Sequence, residues 1–246
     1  MGTKVTGMGD GLWWAGVDVS GSIMSVGRIG GGPALATVPD ITMLAQARIG
    51  LTRTGTIEAS SYFTPSDHHP TFAALPTTNT LVVYRHRNVL GNPAACLWAR
   101  QLSYDPNRGA DGSLSFSLTS EGDAYGLEWG RQGTAGLRTD GAATDGASVD
   151  DGAASASGLA AYLTVTAFTG TSVTVKLQQS SDNGVGDAWA DVTGGGFTAV
   201  STAGAFQRIQ TATNLAVERY LRVVTTGTFS NVEFGVVIVR YETAVE

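Results

Sequence analysis

Three histidines, His68, His69 and His86, are the first place to look for chemistry in this chain. His68 and His69 directly follow Asp67, and side chains of these types can bind a metal ion or move a proton. Neighbouring residues of an extended segment point to opposite faces, so the two imidazoles make a poor start for a shared ion, and an ordinary polar loop is the expectation. The carboxylates Asp18, Glu58, Asp111, Glu121, Asp123 and Glu128 are of the type a glycosidase pair needs, but nothing in their spacing selects two of them. Asp-Gly pairs at Asp140, Asp145 and Asp151 point toward calcium; the spacing matches no calcium loop, and solvated turns are the stronger reading. The single cysteine, Cys96, sits between Ala95 and Leu97, reads as a small buried hydrophobe and excludes an internal disulfide framework. G-x-S-x-G, P-loop, HExxH and CxxC patterns do not occur. The residues therefore predict no catalytic group, no cofactor and no metal, and a protein that is not an enzyme.

Charge and composition narrow the classes further. Only 15% of the residues are charged, Lys4 and Lys176 are the only lysines, and the formal net charge is −6. Residues 1–140 carry ten basic and eleven acidic groups, whereas residues 141–246 carry five and ten. No basic stripe appears, which argues against a protein that grips nucleic acid by its phosphates. So little charge suggests either a very dry monomer or a surface largely covered by partners, and partners are the expectation. No apolar run approaches the ~20 residues that span a bilayer, and the start lacks a signal-peptide core. Gly2 and Thr6 match an acylation pattern, but with no second membrane feature no membrane insertion is expected. The five tryptophans, in a chain with 8% aromatic content, are most simply core, although Trp189 lies in a turn-flanked position where it could be exposed.

The elements that would position these residues are strands. The chain holds 33 glycines, is rich in Thr, Ser and Val, and is poor in the Lys and Glu that favour exposed helix. The central stretch is Arg48–Tyr62, RIGLTRTGTIEASSY, whose even positions are nearly all polar while Ile49, Leu51, Ile57 and Ala59 occupy odd ones. That is a long strand with one wet face, and it needs neighbours on both edges. Before it, residues 1–11 are Gly-rich and read as either mobile or ordered only by a neighbour, Leu12–Ser25 reads as a first strand, and the Gly30–Pro33 cluster breaks it. Ala36–Gln46 is ambiguous between turn and helix. After it, Ser66 and Asp67 are placed to cap a short helix over Pro70–Leu75 that Pro76 stops. Strands follow at Thr80–Arg87 and Ala95–Tyr104, then a turn at DPNRGADG, then Ser113–Glu121 with Leu114, Phe116 and Leu118 on one side.

Periodicity is lost after Trp129, and residues 133–157, nearly all Gly, Ala, Asp, Ser and Thr, read as a linker or extended arm. Beyond them seven short strands, LAAYLTVTAF, SVTVKLQQS, AWADVT, FTAVS, FQRIQT, RYLRVVTTG and EFGVVIVRY, signal an antiparallel sandwich. The organisation expected is a domain over 1–132, a linker or arm over 133–157 and a second β-sandwich over 158–246, all-β throughout with one short helix.

The run from residue 158 to 241, most closely LTVTAFTGTSVTVKLQQSSDN, QRIQT and RYLRVVTTGTF, resembles the C-terminal domain attached to many tail tube proteins of long-tailed, non-contractile bacteriophages. The N-terminal part resembles the tail tube family in its order of elements: VDVSGSI, the long threonine-rich strand RTGTIEASSYFTP, a small helix, then further strands. The resemblance implies a structural protein of the virion, made in the host bacterial cytoplasm. In that family two antiparallel sheets flanked by a helix form the subunit, and six subunits make a ring whose inner strands join into a barrel. Rings stack into a tube through which the genome passes.

It further implies that this chain's main partner is itself, with other tail proteins such as the tape measure and terminator, and DNA that passes without specific binding. The polar face of the long strand, Thr52, Thr54, Thr56, Glu58 and Ser60, is then the candidate lumen wall. Arg48 and Arg53 are expected to pair with carboxylates or to lie outside the bore. Gly7, Gly9, Asp140 and Asp145 mark candidate inter-subunit arms, and the C-terminal domain projects outward, where weak contact with a host surface or glycan is conceivable. The alternatives are a capsid-decorating or other virion protein, and a carbohydrate-binding β-sandwich protein.

Overall fold

The computed structural model describes residues 6–38, 42, 44–66 and 68–242. Its strands run in chain order β1 Gly11–Trp14, β2 Val17–Asp18, β3 Ser25–Thr37, β4 Arg48–Tyr62, β5 Thr80–Arg85, β6 Pro93–Arg108, β7 Leu114–Gly122, β8 Glu128–Gln132, β9 Arg138–Asp140, β10 Asp145–Asp150, β11 Leu159–Ser180, β12 Ala190–Gly196, β13 Phe206–Gln210 and β14 Tyr220–Arg240. One short helix, α1 His69–Ala73, separates β4 from β5. The fold is all-β, and the described ladders are antiparallel. Among the described residues no helix is long and apolar enough to cross a membrane.

Contacts divide the chain into two units. The larger comprises Met1–Gly21, Val83–Cys96 and Trp129–Glu246, the smaller Ser22–Val82 and Leu97–Glu128. The chain therefore leaves the larger unit and returns twice, so the units do not follow the sequence order of 1–132, 133–157 and 158–246. Leu12, Trp13, Trp14 and Val19 are buried, as are Ala94, Ala95 and Cys96, and all of these belong to the same unit as the C-terminal strands.

The larger unit is built on one ladder. β11 and β14 pair from Leu159–Arg240 to Ser180–Tyr220, with register shifts around Thr169–Ser172. Gly170 and Gly227, both at positive φ, stand at the shift: a Cβ on Gly170 would overlap the backbone of Phe229, and one on Gly227 the carbonyl of Ser172. Glycine at both positions allows the two backbones to close and turn together. The first leg is flanked by β13 on the β11 side and by β8 and β9 on the β14 side. The second leg is flanked by β12 and β10. The two legs share one core, in which Leu163, Val165, Phe234 and Val236 of the first meet Val173, Val175, Leu177 and Val223 of the second. Burying each such side chain contributes roughly 1.5–3 kcal/mol.

Two expectations change here. LAAYLTVTAF and SVTVKLQQS are halves of the single strand β11, and RYLRVVTTG and EFGVVIVRY halves of β14, because the glycines that read as strand ends bend a ladder that stays hydrogen-bonded. Residues 133–157 are not a free linker, since β9 and β10 both pair with β14. Polar side chains fasten this stretch: Thr134 Oγ1 accepts from Val236 N at 3.0 Å, and Gln132 Oε1 accepts from Gly136 N at 3.3 Å. Thr225 Oγ1 donates to buried Asp140 at 2.7 Å, while Arg138 donates to Asp140 at 2.7 Å and to the Val223 carbonyl at 2.8 Å. A stretch without apolar periodicity is thus held by hydrogen bonds made inside the fold.

In the smaller unit the strand order is β3-β4-β7-β6. One face of β4 and β7 is dry: Gly55, Ile57, Ala59 and Ser61 alternate with half-buried neighbours, and on β7 Phe116, Leu118 and Ser120 alternate with half-buried or exposed ones. α1 covers this face through Phe72, whose ring lies 5.8 Å from Tyr104 and 5.5 Å from Phe116. Gln101 Nε2 donates to the Phe72 carbonyl at 2.6 Å, tying the helix to β6. The helix starts after His68 with Pro70 in its first turn, close to the expected span; Asp67 lies outside the described residues, as do Pro39, Asp40, Ile41 and Met43 of the ambiguous segment.

The N-terminal strand also differs from its expectation. Ala15 and Gly16, with φ of 49° and 83°, form a tight turn that splits it into the β1–β2 hairpin, and the Gly30–Pro33 cluster lies inside β3 rather than ending it. Proline is tolerated in β3 because β3 is an edge strand. Likewise Asp105–Arg108 extend β6, leaving the turn to Gly109–Gly112.

Gly235 of β14 lies directly under the Trp13 ring, which an added Cβ would overlap, and Trp13 is 1% exposed. Gly235→Ala is expected to lower stability by about 1–3 kcal/mol, read as a lower denaturant midpoint at unchanged m-value.

Candidate functional site

The wet face of the smaller unit's sheet gathers the polar residues of β4 with those opposite them. Directly paired residues of an antiparallel sheet share a face. Glu58 stands between Arg28 on β3 and Thr119 on β7, Thr56 between Gly30 and Glu121, and Ser60 between Ser25 and Ser117. β6 extends the rows with Arg100 opposite Glu121, Ser103 opposite Thr119 and Asp105 opposite Ser117. Arg100 is neutralised by Asp123 at 2.9 Å, and that hydrogen bond holds the Asp123 carboxyl below its usual range. In these described rows Glu58, Glu121, Asp105 and Asp123 outnumber Arg28 and Arg100, so the surface is hydroxyl-rich and mildly acidic.

Thr56, Glu58 and Ser60 are thus brought together on this face. Thr52 and Thr54 share their parity but lie beyond it, where β4 has lost β7: that ladder ends at Thr56–Glu121. From there β4 continues with β3 alone, pairing from Gly32–Thr54 to Thr37–Arg48. This ribbon has two exposed faces. Ile49 and Leu51, on the odd face, are each 50% exposed, and Leu35, opposite Gly50 on the other face, is 60% exposed. A two-stranded ribbon with apolar residues on both faces and unpaired edges is marginal in water and is a template for another strand. Arg48 and Arg53 belong to this ribbon, away from the wet face; Arg48 Nη2 donates to Gln46 at 3.4 Å.

The candidate arm residues fall in the larger unit. Gly7 and Gly9 belong to a turn closed by Asp10 N donating to Gly7 O at 3.2 Å. Asp10 then clasps the segment to β5 and the residues after it. Its Oδ1 lies 2.8 Å from His86 Nδ1 and accepts from Arg87 N at 3.2 Å, and its Oδ2 accepts from the Tyr84 hydroxyl. Asp140 is buried in the hydrogen bonds described above, and Asp145 is exposed but pairs with Arg222 at 2.8 Å. Both aspartates are therefore engaged within their own unit.

The histidines and the remaining carboxylates are dispersed. His69 packs in the aromatic cluster, with Nδ1 3.0 Å from the Tyr104 hydroxyl, and His86 joins Asp10. Asp18 pairs with buried Arg85 at 3.3 Å, and Asp111 closes its turn by accepting from Ser113 N at 3.0 Å. Among the described residues no group of three His, Cys, Asp or Glu could hold a metal ion. Trp189 is not an open platform: Arg222 lies 4.6 Å from its ring centroid, and Gly184 sits against the indole. What the sequence did not disclose is the ribbon of β3 with β4, because glycines conceal β3; the length of β4 and its apolar residues at 49 and 51 were the available signal.

No family model and no curated protein matches the chain. Among solved structures it is similar to a chain of the virion of a native gene transfer agent particle, at 12% identity and TM-score 0.37, over 44% of this chain and 84% of that one. It is similar to the SPP1 Dit (gp 19.1) protein at 10% identity and TM-score 0.36, over 94% and 99% of the two chains. A chain of the phage P2 baseplate in its activated conformation with calcium matches at 9% identity and TM-score 0.36, over 96% and 100%.

Burial, followed by Asp10, pushes the Tyr84 phenol up from 10.0 to about 12. The folded state keeps a proton that the unfolded chain has released, so this contribution to stability is complete below pH 10 and is lost as pH climbs toward 12. Ultraviolet titration of phenolate is expected to show Tyr84 titrating late, and Asp10→Asn is expected to shift it to lower pH.

Proposed function

We propose that this chain is a structural protein of a phage tail, and more closely that copies of it form rings, by the family resemblance six to a ring, that stack into the tail tube. The observation that carries the reading is the ribbon of β3 and β4. Its unpaired edges and its apolar residues on both faces are satisfied most directly by the same ribbon of neighbouring copies, which closes the edges into a barrel. The resemblance noted in the sequence supports the same assembly.

A barrel made this way gives the adjoining wet face a role as conduit wall. DNA must slide along it without sticking. Hydroxyls at Thr56, Ser60, Ser117 and Thr119, with a small excess of carboxylates and with Arg100 neutralised by Asp123, repel phosphate weakly and offer it no cluster of cations. Tape measure and terminator proteins would be the partners at the tube's interior and end, and the virion its location.

Negative-stain microscopy of the purified protein tests the assembly: stacked rings with a central hole are expected. Rings that never stack would overturn the tube, and a monomer at every concentration would overturn self-assembly altogether. Leu35→Asp with Leu51→Asp is expected to abolish the rings while leaving the thermal midpoint within a few degrees, since both positions are exposed in the single chain. Glu58→Lys should still assemble, yet virions carrying it should eject DNA more slowly and with a stronger dependence on salt. Normal ejection would remove Glu58 from the wall.

A further inference from the structure

The larger unit has a cavity of about 300 Å³ between the end of β14 and β8, lined by Pro93, Trp129, Arg131, Asp151, Arg240 and their neighbours. Its volume is at the lower end for small-ligand pockets, room for one ring rather than a chain of them. Trp129 and Arg131 alternate along β8 and so share its open face. The indole is 53% exposed, yet it is fixed: the Tyr84 ring meets it edge-on, 6.5 Å away at 80°. An exposed aromatic ring braced from the side is a stacking platform with little freedom left to lose.

The floor is equally fixed. Arg240 is held by three backbone carbonyls, donating to Ala153 at 2.7 Å, to Val217 at 3.3 Å and to Glu218. Asp151 lies between Arg240 and Arg131, at 3.3 and 3.4 Å. These distances exceed those of tight charge-assisted hydrogen bonds, so the carboxylate keeps acceptor capacity. Burial accordingly raises the Asp151 pKa despite both guanidiniums. Arg131 is half exposed, with its Nε toward Asp151 and its Nη1 donating to the Asp150 carbonyl at 3.3 Å.

We infer that this cavity is a saccharide site that takes a single uncharged pyranose ring, stacked on Trp129 and hydrogen-bonded by Arg131 and Asp151. The chemistry of the lining selects that class. An anion would meet Asp151 and Glu242, and a cation would meet two guanidiniums. A wholly apolar ligand would strip water from charges without replacing their hydrogen bonds. A pyranose has an apolar C–H face for the indole and a rim of hydroxyls that both donate and accept, as the paired charges require. The site needs no second copy of the chain, so it stands or falls apart from the tail assembly.

The test is a titration of the full chain with methyl glycosides of glucose, galactose, mannose and N-acetylglucosamine, followed by tryptophan fluorescence and by saturation-transfer NMR. At least one glycoside is expected to bind saturably, with transfer strongest on the protons of one ring face. Trp129→Ala should weaken it roughly tenfold, Trp129→Phe should largely restore it, and Arg131→Gln should weaken it roughly threefold. Trp189→Phe should leave it unchanged. Absence of binding by every glycoside overturns the site, as does binding indifferent to both Trp129→Ala and Arg131→Gln in folded variants. Competition by inorganic phosphate would replace the saccharide with an anion and equally overturn it.

Discussion

The ladder between β11 and β14 is the constraint on which the larger unit depends. A backbone pairing that runs from Leu159–Arg240 to Ser180–Tyr220 is too long to remain in one sheet of a small sandwich. It stays unbroken only because it bends. Gly170 and Gly227 let the bend occur without surrendering the pairing on either side, and the two legs then face each other across a shared core. The shorter strands β8, β9, β10, β12 and β13 have their places assigned by the edges this ladder offers. Even the β1–β2 hairpin is placed through it, with Trp13 seated on Gly235.

The smaller unit shows the opposite condition, a ladder left incomplete. β4 has two neighbours over Thr56–Ser60 and only β3 from Thr54 back to Arg48, and its burial follows: alternation is clean where β7 is present and vanishes where it is not. The apolar residues past Gly55 therefore keep their water contact in the single chain. A strand edge and an apolar surface exposed together are what a self-assembling subunit needs, and the same features would be a hazard in a protein that remained alone. The acidic, hydroxyl-rich face beside the ribbon makes a different use of the same strand, since period two assigns one side to the core and the other to the surface.

Polar residues in the larger unit act mainly as fasteners. Asp140 with Arg138 and Thr225, Gln132 with Gly136, and Asp10 with His86 and Tyr84 each tie an irregular or short element to a strand. Their presence explains why residues 133–157 are ordered despite lacking an apolar stripe. Trp129 is a different case, because its ring is braced and open where Trp189 is covered by Arg222.

The sequence by itself determined the all-β class, the wet and dry sides of β4 over residues 55–61 and the short helix after it, because alternation, β-branched residues and proline act locally. Within the candidate site, Thr56, Glu58 and Ser60 were legible for the same reason: three residues of one parity on one strand share a face whatever the strand pairs with. Only the tertiary structure decided that Thr52 and Thr54 lie beyond that face, that four apparent strands are two, that Asp140 is buried, and that Trp129 rather than Trp189 remains open. Each of these depends on which distant segment lies alongside: where β7 ends, what Gly170 and Gly227 meet across the ladder, and which arginine reaches an indole. Local periodicity carries no information about a neighbour far away in the chain, and it is the neighbour that completes or withholds the hydrogen bonds.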